Sequence, residues 1–278
     1  MIARALVRLW ILVRFKLNLP GAGMLLRLFV PLVPALRAYP LEVPGVGVAP
    51  LDFRDAAAYN MVKLFALNDR GNDAALIEML TLALKPSAVF WDIGANAGCI
   101  SGYFAHPRFK LGNIHAFEPN PEALKTLQPL FKDHPRVVVH PFGLGLADST
   151  LEMTYTSSLG GSVVLKNKGG KQISISIRNA DKARRELKLP LPDVIKIDVE
   201  GYEPEVFAGL AETIAQSRPT IFFEHLWLTD EKINQLRPAN YLIFFLWDNG
   251  TISTDFTTRL QGHDAILLPA EKKTWPPV

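Results

Sequence analysis

The chain has 278 residues, is 49% hydrophobic and carries a formal charge of +3, enough for one sizeable core and better suited to one α/β domain with an appendage than to two domains. Residues 1 to 40 hold Arg4, Arg8, Arg14, Lys16, Arg27 and Arg37 and no acid, so the remainder is net negative and has no charge bias toward nucleic acid. Cys99 is the only cysteine, which excludes an intrachain disulfide and a cysteine-based zinc cluster and suits a reducing, cytoplasmic setting.

From Met1 to Leu19 the sequence is apolar with interspersed cations. On a helical wheel Arg4, Arg8, Arg14 and Lys16 take one half, and Ile2, Leu6, Leu9, Trp10, Val13 and Leu17 the other. Pro20 and Gly21 stop this helix, and a second apolar stretch, Met24 to Leu36, is interrupted by Arg27, Pro31 and Pro34. Neither is a clean membrane span. A helix lying in the membrane interface fits, with residues 1–38 in peripheral contact; a targeting peptide, a packing arm and a dimerisation element are the alternatives.

Residues 40 to 55, rich in Pro and Gly, read as a connector. Helical periodicity runs from Asp55 to Leu84, broken at Asn68–Asp73, where Asp73 is placed to cap the second helix. The expected organisation is a basic amphipathic segment over 1–40, a connector and helical lead-in over 41–85, and the main domain over 86–278.

The main domain alternates strands and helices. Strands are expected at Val89–Trp91, Ile114–Phe117, Val137–His140, Val194–Ile197, Thr220–Phe223, Tyr241–Trp247 and Ala265–Leu268. Helices are expected at Gly98–Phe104, Pro121–Phe131, Asp181–Leu187 and Pro204–Gln216. Leu151–Tyr155 and Ile173–Ile177 alternate apolar and polar as a strand pair would, with Ser157–Ser162 as a loop between them. Buried strands separated by helices imply a largely parallel sheet covered on both faces.

The most informative run is Phe90-Trp91-Asp92-Ile93-Gly94-Ala95-Asn96-Ala97-Gly98, a buried strand breaking into a glycine turn with an acid at the break. A second strand follows and ends in Glu118-Pro119-Asn120-Pro121. Strand, glycine turn, helix, strand, acid is the pattern of a nucleoside-binding unit, in which the turn lets the backbone approach the ligand and the second acid accepts the ribose hydroxyls. A dinucleotide fold expects G-x-G-x-x-G; here only Gly94 and Gly98 are present, and Asp92 stands where it would repel a phosphate. That suits S-adenosylmethionine, which has an amino-acid end and no phosphate. Acids recur at the carboxyl ends of the strands: Asp92, Glu118, Asp198, Glu200 and Glu224, with His225 beside the last. Like charges on one rim call for a bound cation, raised pKa values, or hydrogen bonds to ligand hydroxyls and ammonium to compensate them.

The order D-I-G-A-N-A-G, F-E-P-N-P, V-I-K-I-D-V-E-G-Y-E and I-F-F-E-H, spread from Phe90 to His225, resembles the FkbM-type family of S-adenosylmethionine-dependent methyltransferases. The resemblance implies a class I Rossmann-like fold and methylation of a hydroxyl on a sugar, glycolipid or secondary metabolite. It places Gly94, Ala95, Asn96 and Gly98 under the methionine part of the cofactor, Asp92 at its amino group, and Glu118, with Pro119 and Asn120, at the ribose. Asp198 would face the methyl group, and Glu200 and Glu224 would line the acceptor side. Two departures stand out. Arg178-Asn179-Ala180-Asp181 keeps only the acid of the family's T-L-D segment, and His140–Gly145 lacks the usual asparagine near the adenine, although Asp148 remains.

Methyl transfer from a sulfonium mainly requires positioning, and an alcohol acceptor must also lose its proton. His225 is a candidate base, with Asp198 or Glu200 as alternatives if desolvated. Asp198, Glu224 and His225 could instead hold a divalent cation, although no compact metal motif supports one. A membrane-attached nucleoside-binding scaffold and a nicotinamide-dependent oxidoreductase are the rival readings, the latter weakened by the missing glycine. If the basic segment binds membranes, a lipid-linked glycan becomes a candidate acceptor. The acceptor pocket is expected from residues 155 to 172 and 226 to 240.

Overall fold

The computed structural model describes residues 2–13, 22–156, 160–162 and 171–272. Helices α1 (Ile2–Ile11) and α2 (Ala22–Phe29) pack on each other and lead to a hairpin of β1 (Tyr39–Val43) and β2 (Gly47–Leu51). This hairpin occupies the stretch expected as a connector. Leu41, Val43, Ala49 and Leu51 alternate inward, and both strands are edges, where Pro40 and Pro50 remove no ladder bond that a third strand would need. Helix α3 (Ala56–Met61) starts on the Asp55 cap, continues as a π-helical turn to Ala66, and is followed after the expected break by α4 (Ala74–Ala83). The segment expected as a separate tail shares the main core: Val7, Trp10, Leu26, Val30 and Leu36 are all buried in it.

The main domain continues as β3 (Phe90–Ile93), α5 (Cys99–Ala105), β4 (Ile114–Phe117), α6 (Pro121–Phe131) and β5 (Val137–His140). Next come β6 (Gly143–Gly145), β7 (Ser149–Thr156), β8 (Gly160–Ser162) and β9 (Lys171–Asn179). After α7 (Ala180–Glu186) and β10 (Val194–Ile197), the expected single helix over 204–216 is two, α8 (Glu203–Gly209) and α9 (Ala211–Ser217), parted at Leu210. Strand β11 (Thr220–Glu224), α10 (Asp230–Leu236), β12 (Tyr241–Leu246), β13 (Ile252–Ser253) and β14 (Asp264–Pro269) complete the order.

Eight strands form one sheet in the order β13-β12-β14-β11-β10-β3-β4-β5. Strands β5, β4, β3, β10 and β11 run parallel, and β14, β12 and β13 pair antiparallel at one edge. The chain builds outward from β3 in one direction through β4 and β5, then returns to the other side of β3 as β10. Neighbouring connections therefore leave the sheet on opposite faces between β3 and β10, opening a crevice at the carboxyl ends of these strands. This is a class I Rossmann-like α/β fold. The parallel strands are buried on both faces, which explains their nearly continuous apolar sequences.

A separate four-stranded sheet, β6-β9-β7-β8, stands over the crevice. The expected pairing of Leu151–Tyr155 with Ile173–Ile177 is present, with Leu151 opposite Ile175 and Met153 opposite Ile173. Gly160–Ser162, expected within a loop, is an added strand on β7. Of the remaining positions of the proposed 155–172 acceptor loop, 155–156 end β7 and 171–172 begin β9, and 157–159 and 163–170 lie outside the described residues.

Candidate active site

Two clefts meet at the glycine turn. Gly94 has φ +82°, and a Cβ there would lie 1.8 Å from the Asp198 carbonyl oxygen, so β3 and β10 approach too closely for any other residue. The Gly94 and Ala95 N–H groups both donate to the Phe117 carbonyl at the end of β4, each at 3.0 Å. Next to it, the Glu118 carboxylate accepts from Asn96 N–H through Oε2 at 2.7 Å and from Asn120 N–H through Oε1 at 2.8 Å. Glu118 is thereby held at the mouth of the first cleft with lone pairs to spare. Burial pushes its pKa up to about 7 against these bonds. Asn120 spends its side-chain oxygen capping α6 through Glu122 N–H.

The first cleft is lined by Gly94, Asn96, Glu118, Pro119 and Asn120 on one side and by Asp198, Glu200 and Tyr202 on another. Its apolar walls are Ile93, Phe117 and Leu144 below and Met153, Ile175 and Ile177 from the small sheet above. The second cleft lies across the turn, with Ala95, Asn96 and Asp198 facing Asp55, Asn60 and Asp73 of the helical lead-in. Asp73 stands at the N-terminus of α4 as expected but makes no side-chain capping bond; it turns to this cleft instead. Cys99 is on the same floor, and desolvation pushes its thiol up to about 12, so it is protonated and no nucleophile.

Beneath the clefts, Lys196 is 4% exposed in the middle of β10. Its Nζ lies 3.4 Å from Asp92 Oδ1, 3.2 Å from Asp198 Oδ2 and 3.3 Å from the Gly94 carbonyl. Burial opposes its charge, but Asp198 and Asp92 outweigh burial and raise its pKa. The compensating charge is thus the chain's own Lys196 and not the expected bound cation, and it holds Asp198 at the junction of both clefts.

Beyond Asp198 the acids stay crowded. Glu200 has a left-handed backbone, φ +56°, in a loop fixed by buried Glu203, whose Oε1 accepts from Val199 N–H at 3.0 Å and Gly201 N–H at 3.3 Å. Desolvation and the charges of Asp198 and Glu203 raise Glu200 to about 7, against a hydrogen bond from Trp227. Glu224 stands opposite Asp264 across the β11–β14 pair. Burial, then the surrounding Asp198, Glu200, Glu203 and Asp264, pushes it to about 9, and burial with Asp198 pushes Asp264 to about 7.

Five expected site residues line neither cleft: Glu224 at the end of β11, and four more. Asp92 is fully buried, its Oδ2 accepting from Ser101 N–H at 3.1 Å and Ser101 Oγ–H at 2.6 Å, so it supports Lys196 and the start of α5 instead of reaching a ligand. Gly98 lines neither cleft; at φ +92° it begins α5, and a Cβ there would come within 2.8 Å of Leu127 on α6. Asp148 is on the outside, accepting from Asn179 N–H at 2.8 Å and pairing with Lys182 at 2.5 Å, which fastens the start of α7. His225 is fully buried, edge-on to Phe245 with Nδ1 3.3 Å from an Arg259 nitrogen. Burial and the Arg259 charge lower its pKa to about 4, so it is a neutral core group and no general base. It cannot join Asp198 and Glu224 around an ion, and among the described residues no group of three His, Cys, Asp or Glu side chains is placed to hold a metal. Asp181, the surviving acid of the divergent segment, caps α9 through Glu212 N–H and Thr213 N–H.

Motif reading gave no role to Lys196, Glu203 or Trp227, of which the first two hold the acids and loop of the site and the third hydrogen-bonds Glu200. A lysine between two apolar residues of a buried strand was the available signal for the first. Trp227 falls in the 226–240 stretch expected to shape the acceptor pocket, of which 230–236 is helix α10.

The family model of the FkbM methyltransferase domain matches residues 92–250, more than half of the chain. A hexuronic acid methyltransferase, AglP of Haloferax volcanii, is 26% identical over 180 residues, covering 63% of this chain and 71% of its own. The AMB antimetabolite synthetase AmbE of Pseudomonas aeruginosa is 28% identical over 186 residues, 52% of this chain but only 9% of that protein. Among solved structures, the FkbM methyltransferase of Methylobacillus flagellatus KT matches with a TM-score of 0.45 and 18% identity, over 87% of this chain and 60% of that one. Fibrillarin of Aeropyrum pernix, solved with natively bound S-adenosyl-L-methionine, matches with a TM-score of 0.41 and 11% identity, over 70% and 71%. With the glycine turn, the fixed Glu118 and the acid-lined junction all inside the matched span, the chain belongs to the FkbM methyltransferase family.

Proposed function

We propose that this protein is an S-adenosylmethionine-dependent O-methyltransferase whose acceptor is a hydroxyl of a sugar or sugar-bearing molecule. The observation that carries the cofactor reading is Glu118, pinned by two backbone N–H groups at the edge of an apolar slot, with free lone pairs for a ribose diol. Gly94 keeps β3 and β10 close beneath this slot, since a Cβ there would meet the Asp198 carbonyl. Phe117, Leu144 and Ile177 would sandwich the adenine; Asn96 and Asp198 border the path to the second cleft. The cofactor, when bound, supplies an electrophilic methyl group on a sulfonium.

The chain's own work is then to orient the acceptor hydroxyl and take its proton. Glu200, poised at about 7, is ionised often enough at neutral pH to accept that proton and return it to water. Glu224, at about 9, is protonated at neutral pH and acts as a hydrogen-bond donor on the acceptor side. Trp227 is 48% exposed beside Glu200 and offers an aromatic face of the kind on which the C–H face of a pyranose packs. The relative described as a hexuronic acid methyltransferase supports a sugar acceptor.

Calorimetric titration with S-adenosylhomocysteine, with NAD as control, tests the cofactor half. Micromolar binding weakened at least about tenfold by Glu118→Ala is expected, because a charged acceptor contributes about 1.5–3 kcal/mol per hydrogen bond. Binding of NAD in place of S-adenosylhomocysteine would overturn the reading, as would binding indifferent to Glu118. Transfer of labelled methyl to a panel of uronic acids and neutral sugars tests the acceptor half.

A further inference from the structure

Helix α1 has three faces, and core packing explains only one of them. Val7 and Trp10 are buried; the Trp10 ring stands edge-on to Tyr59 at 5.1 Å and to Phe53 at 6.2 Å. A second stripe, Ile2, Ala5, Leu9 and Leu12, recurs at three- and four-residue spacing and points to solvent, with Ile2 68%, Leu9 54% and Leu12 43% exposed. Between the two run Arg4 and Arg8, both exposed. Helix α2, packed against α1, ends in another exposed apolar group, Leu28, Phe29 and Leu32, the first and last 64% and 76% exposed. Arg27 lies over the Tyr59 ring, 5.5 Å from its centroid. No acid occurs before Glu42.

Two apolar stripes on adjoining helices, rimmed only by arginines, are what an anionic bilayer surface complements: leucine side chains enter the headgroup boundary while guanidinium groups meet phosphates. No described helix is long and apolar enough to cross a membrane. We propose that the α1–α2 pair docks this protein on anionic lipid bilayers, lying in the interface with Ile2, Leu9, Leu12, Leu28, Phe29 and Leu32 inserted. The anchor is rigidly joined to the active site. Trp10 and Arg27 clamp Tyr59 of α3, whose first turn, with Asp55, Ala56 and Ala57, forms a wall of the second cleft. The proposal does not depend on the cofactor or on the acceptor.

Removing residues 1–38 would strip Val7, Trp10, Leu26, Val30 and Leu36 from the core, so surface substitutions on the full chain are the proper test. The measurement is co-sedimentation with vesicles of pure phosphatidylcholine and of phosphatidylcholine mixed equally with phosphatidylglycerol, at low and high salt. The expected result is partition onto the anionic vesicles, weakened by salt. Arg4→Gln with Arg8→Gln should weaken it roughly 25-fold, and Leu28→Ser with Leu32→Ser on the order of a hundredfold. Both variants should keep the parental melting temperature, since the replaced side chains are exposed. Failure to sediment with anionic vesicles overturns the proposal, and so does equal partition of parent and leucine variant. A concentration-dependent dimer, abolished by the leucine variant while vesicle binding is absent, would make this face a subunit contact instead.

Discussion

Replacing Lys196 by methionine isolates the buried charge beneath the site. Asp92 is fully buried, and its attraction to Nζ at 3.4 Å amounts to about 5 kcal/mol at an effective dielectric of about 20. Asp198 is 41% exposed on its side chain, so water takes over much of what it loses. Leaving one buried anion without its partner costs about 3–5 kcal/mol. The Ser101 N–H and Oγ–H bonds to Asp92 survive and keep the expected loss near the lower figure, about 3 kcal/mol. For a chain of this length that lowers the melting temperature by roughly 6–10 °C. The double variant, Asp92→Asn with Lys196→Met, removes the stranded charge and should recover at least about half of the loss. Urea unfolding of parent, two single variants and the double closes the cycle. A Lys196→Met loss within about 1 kcal/mol of zero, or a double variant equal to the sum of the singles, would refute the assignment of Lys196 as the organising cation.

Gly94→Ala should abolish S-adenosylhomocysteine binding and lower stability by several kcal/mol, on the order of a serious core clash, because its Cβ would meet the Asp198 carbonyl at 1.8 Å; calorimetry and thermal melting check both. Trp227→Ala should raise KM for a sugar acceptor roughly tenfold while leaving S-adenosylhomocysteine affinity unchanged, and Trp227→Phe should restore most of it; equal KM values for all three would remove Trp227 from the acceptor site. The pH dependence of melting has two arms of opposite sign. His115, His140 and His225 titrate near 4 when folded, chiefly through burial, so the unfolded chain binds more protons and these three groups subtract stability as pH drops from 6.5 to 4. Glu118, Glu200, Glu203 and Asp264 near 7 and Glu224 near 9 keep protons in the folded state that the unfolded chain releases at its ordinary 3.8 to 4.5, so these five subtract stability as pH rises from about 4.5 to 7, and Glu224 alone on to 9. Between about pH 4.5 and 6.5 the five acids outweigh the three histidines, so a melting maximum near pH 4 to 5 is expected, and a steady rise to pH 9 would contradict the crowded-acid description.

Which elements exist, and their order, could be read from the chain because apolar runs, prolines and glycines mark them locally. Pro121–Phe131 is a helix to the residue, and the Gly94 turn and Glu118 sit where strand-end grammar put them. Side-chain direction could not be read the same way. In a parallel strand buried on both faces the apolar pattern has no period of two, so nothing local shows that Asp92 turns inward toward Lys196 and not to a ligand. Their partnership becomes visible only in register, where Asp92 and Lys196 are directly opposed on adjacent strands. His225 was mistaken for a rim residue on similar grounds, because position after a strand does not disclose the Phe245 and Arg259 groups that enclose it. The β1–β2 hairpin was hidden by its prolines, which an isolated two-stranded ribbon accepts.

The bonds from Gly94, Ala95 and Asn96 to Phe117 and Glu118 join the ends of β3 and β4 through protein groups alone. A floor held by its own backbone leaves little chain entropy to be lost when the proposed cofactor binds. The second cleft has another origin: its Asp55 and Asp73 come from the helical lead-in, while Trp227, beside Glu200, comes from the stretch beyond β11. Substitutions in those segments can reshape the second cleft without disturbing the staple between β3 and β4. If the proposed function holds, changes of acceptor have a route that leaves the donor's floor intact, and affinity for S-adenosylhomocysteine should vary far less among relatives than the acceptor does.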